Sequence, residues 1–207
     1  MPERTDDHLE EKRVSTEEVF KGNFLTVRRD AVKLPDGSAT SREFIVHPGA
    51  VVIVPLIYTP DGVKLVMERQ YRYPVGLTIV EFPAGKLDPG ERPFDCARRE
   101  LKEETGYSAL EWARAGLIHP VISYSTEFID IWFARGLSLG ERQLDSGEFL
   151  DVFLSTPDEL ASLCQAGQIT DAKTLSCMFW LFNVLSNKWA LDWRSTESCD
   201  LQEPVPS

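Results

Sequence analysis

The stretch from Gly85 to Tyr107, GKLDPGERPFDCARRELKEETGY, constrains the fold more than any other part of the chain. Asp88-Pro89-Gly90 is turn chemistry, because Pro fixes φ and Gly tolerates positive φ. A helix is expected from near Pro93, which suits a first helical position, to Gly106, which stops it. Inside it Phe94, Ala97, Leu101 and Thr105 recur at helical spacing and make one buried face. Glu100, Glu103 and Glu104 fall on another face, within an arc of roughly 100°. Like charges so spaced destabilise a helix by roughly 0.2–0.5 kcal/mol per pair. These also sit near the C-terminal end, where the helix dipole disfavours them. One reading is a solvated acidic face, partly offset by Arg99 and Lys102. The other is a hard divalent cation held by oxygen ligands, most naturally Mg²⁺, which turns repulsion into coordination.

Context separates the two. Gly85, Glu91, Arg99, Glu100, Leu101, Glu103, Glu104, Gly106 and Tyr107 follow one another without a gap in a pattern that resembles the Nudix box, G-x5-E-x7-R-E-U-x-E-E-x-G-U, where U is bulky and apolar. Tyr107 is an aromatic where an aliphatic is commoner. At ordinary residue frequencies a chance match in a chain this long is on the order of one in a million.

The rest of the chain is consistent with one domain carrying a small N-terminal extension. It has 207 residues and a formal net charge of -11. So acidic a chain is a poor general binder of nucleic acid or of an anionic membrane. No apolar run approaches a membrane span. The N-terminus, MPERTDDHLEEKR, lacks the apolar region of a secretory signal. Cys96, Cys164, Cys177 and Cys199 are scattered and form no CxxC pair, which reads as reduced, mostly buried thiols in a cytosolic protein.

In chain order, residues 1–14 read as a disordered tail. Residues 15–47 read as an antiparallel β extension: one strand through VFKGNFLTVRRDAVKL, a turn at Leu34-Pro35-Asp36-Gly37-Ser38, and a second strand, SREFIV. So small a sheet must pack on the main body or on a partner chain. The main domain is expected over 48–190. Ala50–Ile57 is an almost unbroken apolar run, as in a strand covered on both faces. Strands follow at Val63–Tyr71, Leu77–Phe82, Ala109–Leu117, Glu127–Gly136 and Glu148–Leu154, with loops at 118–126 and 142–147. Thr156-Pro157-Asp158-Glu159 opens a helix with a capping box, ending near Gly167. A second helix runs from Asp171 to about Trp189, and 191–207 reads as a disordered tail. Strands flanked by the glutamate-bearing helix on one side and a C-terminal helix on the other make an α/β/α sandwich with a mixed sheet. The Nudix family has this fold.

The resemblance implies hydrolysis of a nucleoside diphosphate linked to another moiety. Mg²⁺, or Mn²⁺, would neutralise phosphate oxygens and activate water. Glu100, Glu103 and Glu104 would hold it. Arg99 inherits the role of orienting a neighbouring glutamate, against the plainer reading of a surface ion pair. Glu68-Arg69-Gln70-Tyr71-Arg72 and Glu81-Phe82-Pro83-Ala84-Gly85 are similar to segments of the ADP-ribose pyrophosphatase branch. That similarity makes the Ala84 carbonyl a metal ligand and sets Arg72, and Arg69 after it, toward the phosphates or terminal ribose. Glu81 would contact substrate or steady an arginine; the alternative is an Arg69–Glu81 pair across adjacent strands. Glu148 is the expected base or an extra metal ligand, with Asp145 in reserve and Glu103 as rival base. One departure stands out: Ile122-Ser123-Tyr124 precedes Ser125-Thr126-Glu127 where ADP-ribose enzymes usually carry a proline. GDP-mannose or another nucleotide sugar therefore stays open as substrate, as does a non-catalytic sensor of such a sugar. Tyr124 could stack on a base or cap the core. Members of the branch are commonly dimers whose N-terminal sheet reaches the partner subunit, so a homodimer is expected, with no nucleic-acid or membrane partner.

Overall fold

The computed structural model describes residues 6–198, and these fall into two compact units. One holds the chain through Gly49 together with His119–Phe128; the other holds Ala50–Ile118 and the chain from Ile129 onward.

The first unit is a three-stranded antiparallel sheet, ordered β1 (Lys12–Lys21), β2 (Thr26–Lys33), β3 (Ala39–Val46). The sequence predicts two strands here. A third arises because the chain turns at Gly22–Leu25, where the Gly22 amide donates to the Leu25 carbonyl at 2.8 Å. The next turn is the predicted one: Asp36 accepts from the Ser38 amide at 2.9 Å, and Gly37 has φ of 87°. Strand β1 begins at Lys12, so the tail expected over 1–14 is shorter, and its first five residues lie outside the described chain. The loop 119–128 runs beside β3, with Ile45 donating to the Tyr124 carbonyl and accepting from the Thr126 amide. Gly49, at φ 99°, lies so close to Phe128 that a Cβ there would meet its ring at 2.3 Å.

The second unit is the predicted sandwich. Its mixed sheet runs in the order β10 (Leu150–Ser155), β5 (Gly62–Arg72), β4 (Ala50–Thr59), β9 (Ile129–Leu139), β8 (Tyr107–Ile118), β11 (Arg194–Ser195). Only β4 and β9 pair in parallel among these. Strand β6 (Leu77–Glu81) continues along β5, and β7 (Ala84–Lys86) along β4. The apolar run of β4 is buried from Ala50 to Leu56, and alternation sends its side chains to both layers. Val52, Val54 and Leu56 join Ile131 and Phe133 of β9 in a core with Leu160, Cys177, Met178 and Leu181 from two helices, α2 (Pro157–Gln165) and α3 (Ala172–Leu185). On the other face Trp112 and Trp132 pack on Phe94 of α1 (Pro93–Thr105), at ring separations of 5.7 and 5.2 Å.

Helix α1 has the predicted ends: Pro93 opens it, and Gly106, at φ 78°, closes it by donating to the Lys102 carbonyl at 2.9 Å. Helix α2 has its capping box in full, with Thr156 and Glu159 exchanging side-chain to backbone bonds at 3.1 and 2.7 Å. Helix α3 stops at Leu185, four residues short of the expected end, because Asn187 takes the left-handed conformation (φ 56°), as Asn does at a helix terminus. Two short strands, β7 and β11, have no counterpart in the sequence reading. Strand β11 pairs Arg194 and Ser195 with Trp112 and Glu111, inside the segment expected to be a disordered tail. Residues 199–207 of that tail, Cys199 included, lie outside the described chain.

Candidate active site

Arg99 organises the acidic face of α1. Its Nε and Nη2 donate to the two oxygens of Glu91 at 2.9 and 2.8 Å. Its Nη1 donates to Glu100 at 2.7 Å and Glu103 at 3.1 Å, and Nη2 reaches the Lys86 carbonyl at 3.1 Å. Glu91 also accepts from the Asp88 amide at 3.0 Å, so it ties the turn to the helix. The hydrogen bond from Arg99 holds the Glu91 carboxyl below its ordinary range. The box arginine thus bonds three glutamates at once, where the plainer reading has a single surface ion pair.

Gly85 is required by Glu100. A Cβ at residue 85 would stand 1.8 Å from the Glu100 carboxyl. That carboxyl is driven inward, and burial pushes its pKa up to about 7, with Arg99 opposing and Glu103 and Glu148 adding to the rise. Glu104 lies deeper, 3% exposed, and accepts from the Ala84 amide at 3.0 Å. Burial, then the charges of Glu68, Glu100 and Glu148, hold it well above the ordinary carboxyl range.

Glu68 is a member of this group that the sequence reading passed over. It is 2% exposed, its Oε1 has no hydrogen-bond partner, and the strand register sets it directly opposite Glu81. Burial first, then Glu81 and Glu148, raise its pKa to about 8. The available signal was parity: in VKLVMERQYR, residues 68, 70 and 72 share one side of β5. The contacts follow that side. Gln70 donates to Glu148 at 3.2 Å, and Arg72 grips both oxygens of Glu81 at 2.8 Å each.

Arg69 is on the opposite side of β5. It pairs with Asp151 across the β5–β10 ladder at 2.9 Å, and its register partner on β6 is Val80. The alternative Arg69–Glu81 pair is therefore not formed; Glu81 bonds Arg72 instead. Asp145 is exposed, and its carbonyl accepts from the Glu148 amide at 3.0 Å, closing the turn that carries Glu148. Tyr124 is more than half exposed.

The donor set suits a hard divalent ion: carboxylate oxygens throughout, several driven out of water, and one buried oxygen left without a partner. Among the described residues no three such groups already stand as a closed cage, because Arg99 takes Glu100 and Glu103 to itself. A cavity of about 430 Å³ lies nearby, lined by Asp95, Arg98, Lys102, Trp112 and Thr196 among others. Its lining includes Arg99 but none of the glutamates.

Residues 47–176 match the NUDIX domain model, and residues 11–45 match that of the nucleoside diphosphate sugar hydrolase N-terminal domain. An ADP-ribose pyrophosphatase of Bacillus subtilis (strain 168) is 38% identical over 175 residues, covering 84% of this chain and 93% of the relative. A methanol dehydrogenase activator of Bacillus methanolicus is 40% identical over 177 residues, with the same coverage of each chain. Among solved structures, an ADP compounds hydrolase superposes with a TM-score of 0.76 at 24% identity, covering 87% of this chain and 97% of the other, a likeness of fold.

Proposed function

This chain belongs to the Nudix family, and from that premise we propose that it hydrolyses ADP-ribose to AMP and ribose 5-phosphate. It is a Nudix pyrophosphohydrolase acting on nucleoside diphosphate sugars. The observation that carries the reading is geometric: Glu68 and Glu104 are buried, Glu104 accepts from the Ala84 amide, Glu100 is packed against Gly85, Glu148 accepts from Gln70, and Glu81 grips Arg72.

Ala84 through its carbonyl, with Glu100, Glu103, Glu104 and Glu148, is the proposed metal-holding set. Mg²⁺ is the ion this donor chemistry favours, with Mn²⁺ second. When bound, such an ion neutralises phosphate oxygens and makes water more acidic. The protein supplies the rest. Arg72 presents a planar guanidinium to the pyrophosphate. Glu148, steadied through Gln70, takes a proton from the attacking water, with Glu103 as the alternative base. The water oxygen bonds to phosphorus as the bridging P–O bond breaks, and the two monophosphates separate. Arg99 acts through the glutamates it holds. Asp151 engages Arg69, which is left out of the substrate set.

A second substrate is favoured by one feature. Ile122-Ser123-Tyr124 stands where ADP-ribose enzymes usually carry a proline, which keeps GDP-mannose and other nucleotide sugars in view. A panel of ADP-ribose, GDP-mannose, NADH and a diadenosine polyphosphate with Mg²⁺, read by phosphate release after phosphatase, separates them. ADP-ribose is expected to give the highest kcat/KM; a failure to cleave any of the four overturns the reading. Glu104→Gln is expected to lower kcat by at least about 100-fold. Near wild-type activity in that variant removes Glu104 from the metal set.

We further propose a homodimer built through the N-terminal sheet. Strand β1 is exposed at all ten positions, Val19 and Phe20 among them, and Phe24 and Leu25 are exposed in the turn that follows, an unusual surface for a sheet with no partner. A cytoplasmic location fits the unpaired Cys96, Cys164 and Cys177, and no helix among the described residues is long and apolar enough to cross a membrane.

A further inference from the structure

We propose that Lys173, at the start of α3, is a positioning residue that keeps Arg72 both aimed and electropositive toward the pyrophosphate. The inference rests on the hydrolytic reading above and assigns a role to a residue outside the Nudix box and outside the strand that carries Arg72.

The argument begins with Glu81. Its side chain is 1% exposed, so its charge is stabilised by neighbours rather than by water. Arg72 bonds Oε1 through Nε and Oε2 through Nη2. Lys173 Nζ donates to the same Oε2 and lies 3.1 Å from Asp171 Oδ2. The ammonium is itself largely buried, at 13% side-chain exposure, so it is a member of the network and not a passing surface charge. Asp171 is the cap of α3 and accepts from the Thr174 amide at 2.9 Å. Next to it, the Thr174 hydroxyl accepts from the Phe82 amide at 3.1 Å. The first turn of α3 is therefore seated on the strand end that leads into the Ala84-Gly85 turn.

Two consequences follow. First, Glu81 is held from both sides, so it fixes the Nε–Nη2 edge of Arg72. The Nη1 corner makes no hydrogen bond among the described residues, and the Arg72 side chain is 43% exposed. That corner is what the guanidinium offers to a phosphate. Second, the charges balance in pairs: Arg72 and Lys173 against Glu81 and Asp171. Without Lys173 the cluster carries a net negative charge beside Glu68, and Arg72 is spent on neutralising Glu81. A polyanionic substrate then meets a weaker attraction. The structural alternative is that Lys173 merely seats the helix, a task that Thr174 shares without carrying charge.

The experiment compares three full-length variants in Mg²⁺: Lys173→Met, Lys173→Arg and Thr174→Val. Affinity is measured with α,β-methylene ADP-ribose, whose bridging carbon resists cleavage, alongside KM, kcat and Tm. Lys173→Met is expected to weaken binding and raise KM about tenfold, with kcat within about threefold of wild type. Lys173→Arg is expected to restore both to within about twofold. Thr174→Val is expected to lower Tm while KM stays near wild type. Unchanged affinity in Lys173→Met, or a Lys173→Arg variant as weak as Lys173→Met, overturns the proposal. If the wild type cleaves no nucleoside diphosphate sugar, the hydrolytic reading fails separately. The Lys173 comparison is then read with inorganic pyrophosphate and Mg²⁺; the same loss of affinity supports it, and equal or absent binding overturns it.

Discussion

Glu68 is the residue whose environment departs furthest from what its sequence position implies. It is the one acidic residue of its strand, yet it is buried and faces a second buried acid, Glu81. Burial, then Glu81 and Glu148, raise its pKa from the ordinary 4.5 to about 8. The folded protein therefore binds this proton more tightly than the unfolded chain does. Below about pH 4.5 the carboxyl is protonated in both states and costs nothing; between 4.5 and 8 stability falls as pH rises, and above 8 the loss is complete. Glu68→Gln removes that loss. In EDTA at pH 8 the variant is expected to be more stable than wild type, with the two converging near pH 4.5. Thermal melts across that range check it, and a constant difference at every pH contradicts it. Arg99 is the opposite case, a residue that the sequence singles out and that bonds Glu91, Glu100 and Glu103.

Among the elements, α1 and β7 form the working pair. Helix α1 was fully legible: Pro93, the apolar spacing and Gly106 set its ends, and local rules suffice for that. Strand β7 was not, because three residues carry no periodicity and exist only by pairing with Ala50–Val52 of β4. Its register sets the Gly85 α-carbon against Glu100. Gly85→Ala is expected to push the Glu100 carboxyl aside and lower kcat by on the order of 10²-fold, with a loss of stability of about 1–3 kcal/mol. Steady-state kinetics with a parallel melt test this, and wild-type kcat in a folded variant refutes it. Helix α3 illustrates how a boundary is misjudged. Its apolar sequence runs on toward Trp189, but Asn187 takes the left-handed conformation just past its end.

At the scale of the molecule, two compact units divide the labour. The second carries every residue of the proposed site among the described residues. The first is a sheet with an outer strand exposed from end to end. Phe20→Asp on that strand is expected to shift the protein from dimer to monomer in size-exclusion chromatography with light scattering. If wild type is itself a monomer at micromolar concentration, the dimer proposal falls. The boundary at Gly49 lies near the expected one, but the loop 119–128 joins the first unit through β3, and no local signal in that loop foretells it.

What the sequence determined alone is what local physics writes: the turn and helix of the Nudix box, the buried β4 run, the capping box of α2, and the sandwich that their order demands. The acid cluster of Glu100, Glu103 and Glu104 was legible too, since helical spacing is fixed by covalent geometry. What tertiary structure decided is which partners meet across strands. Parity and register gave Glu81 to Arg72 and Asp151 to Arg69, brought Glu68 opposite Glu81, and let Lys173 reach Glu81 from 92 residues away. Such pairings depend on how distant strands align, and no run of neighbouring residues encodes that alignment by itself.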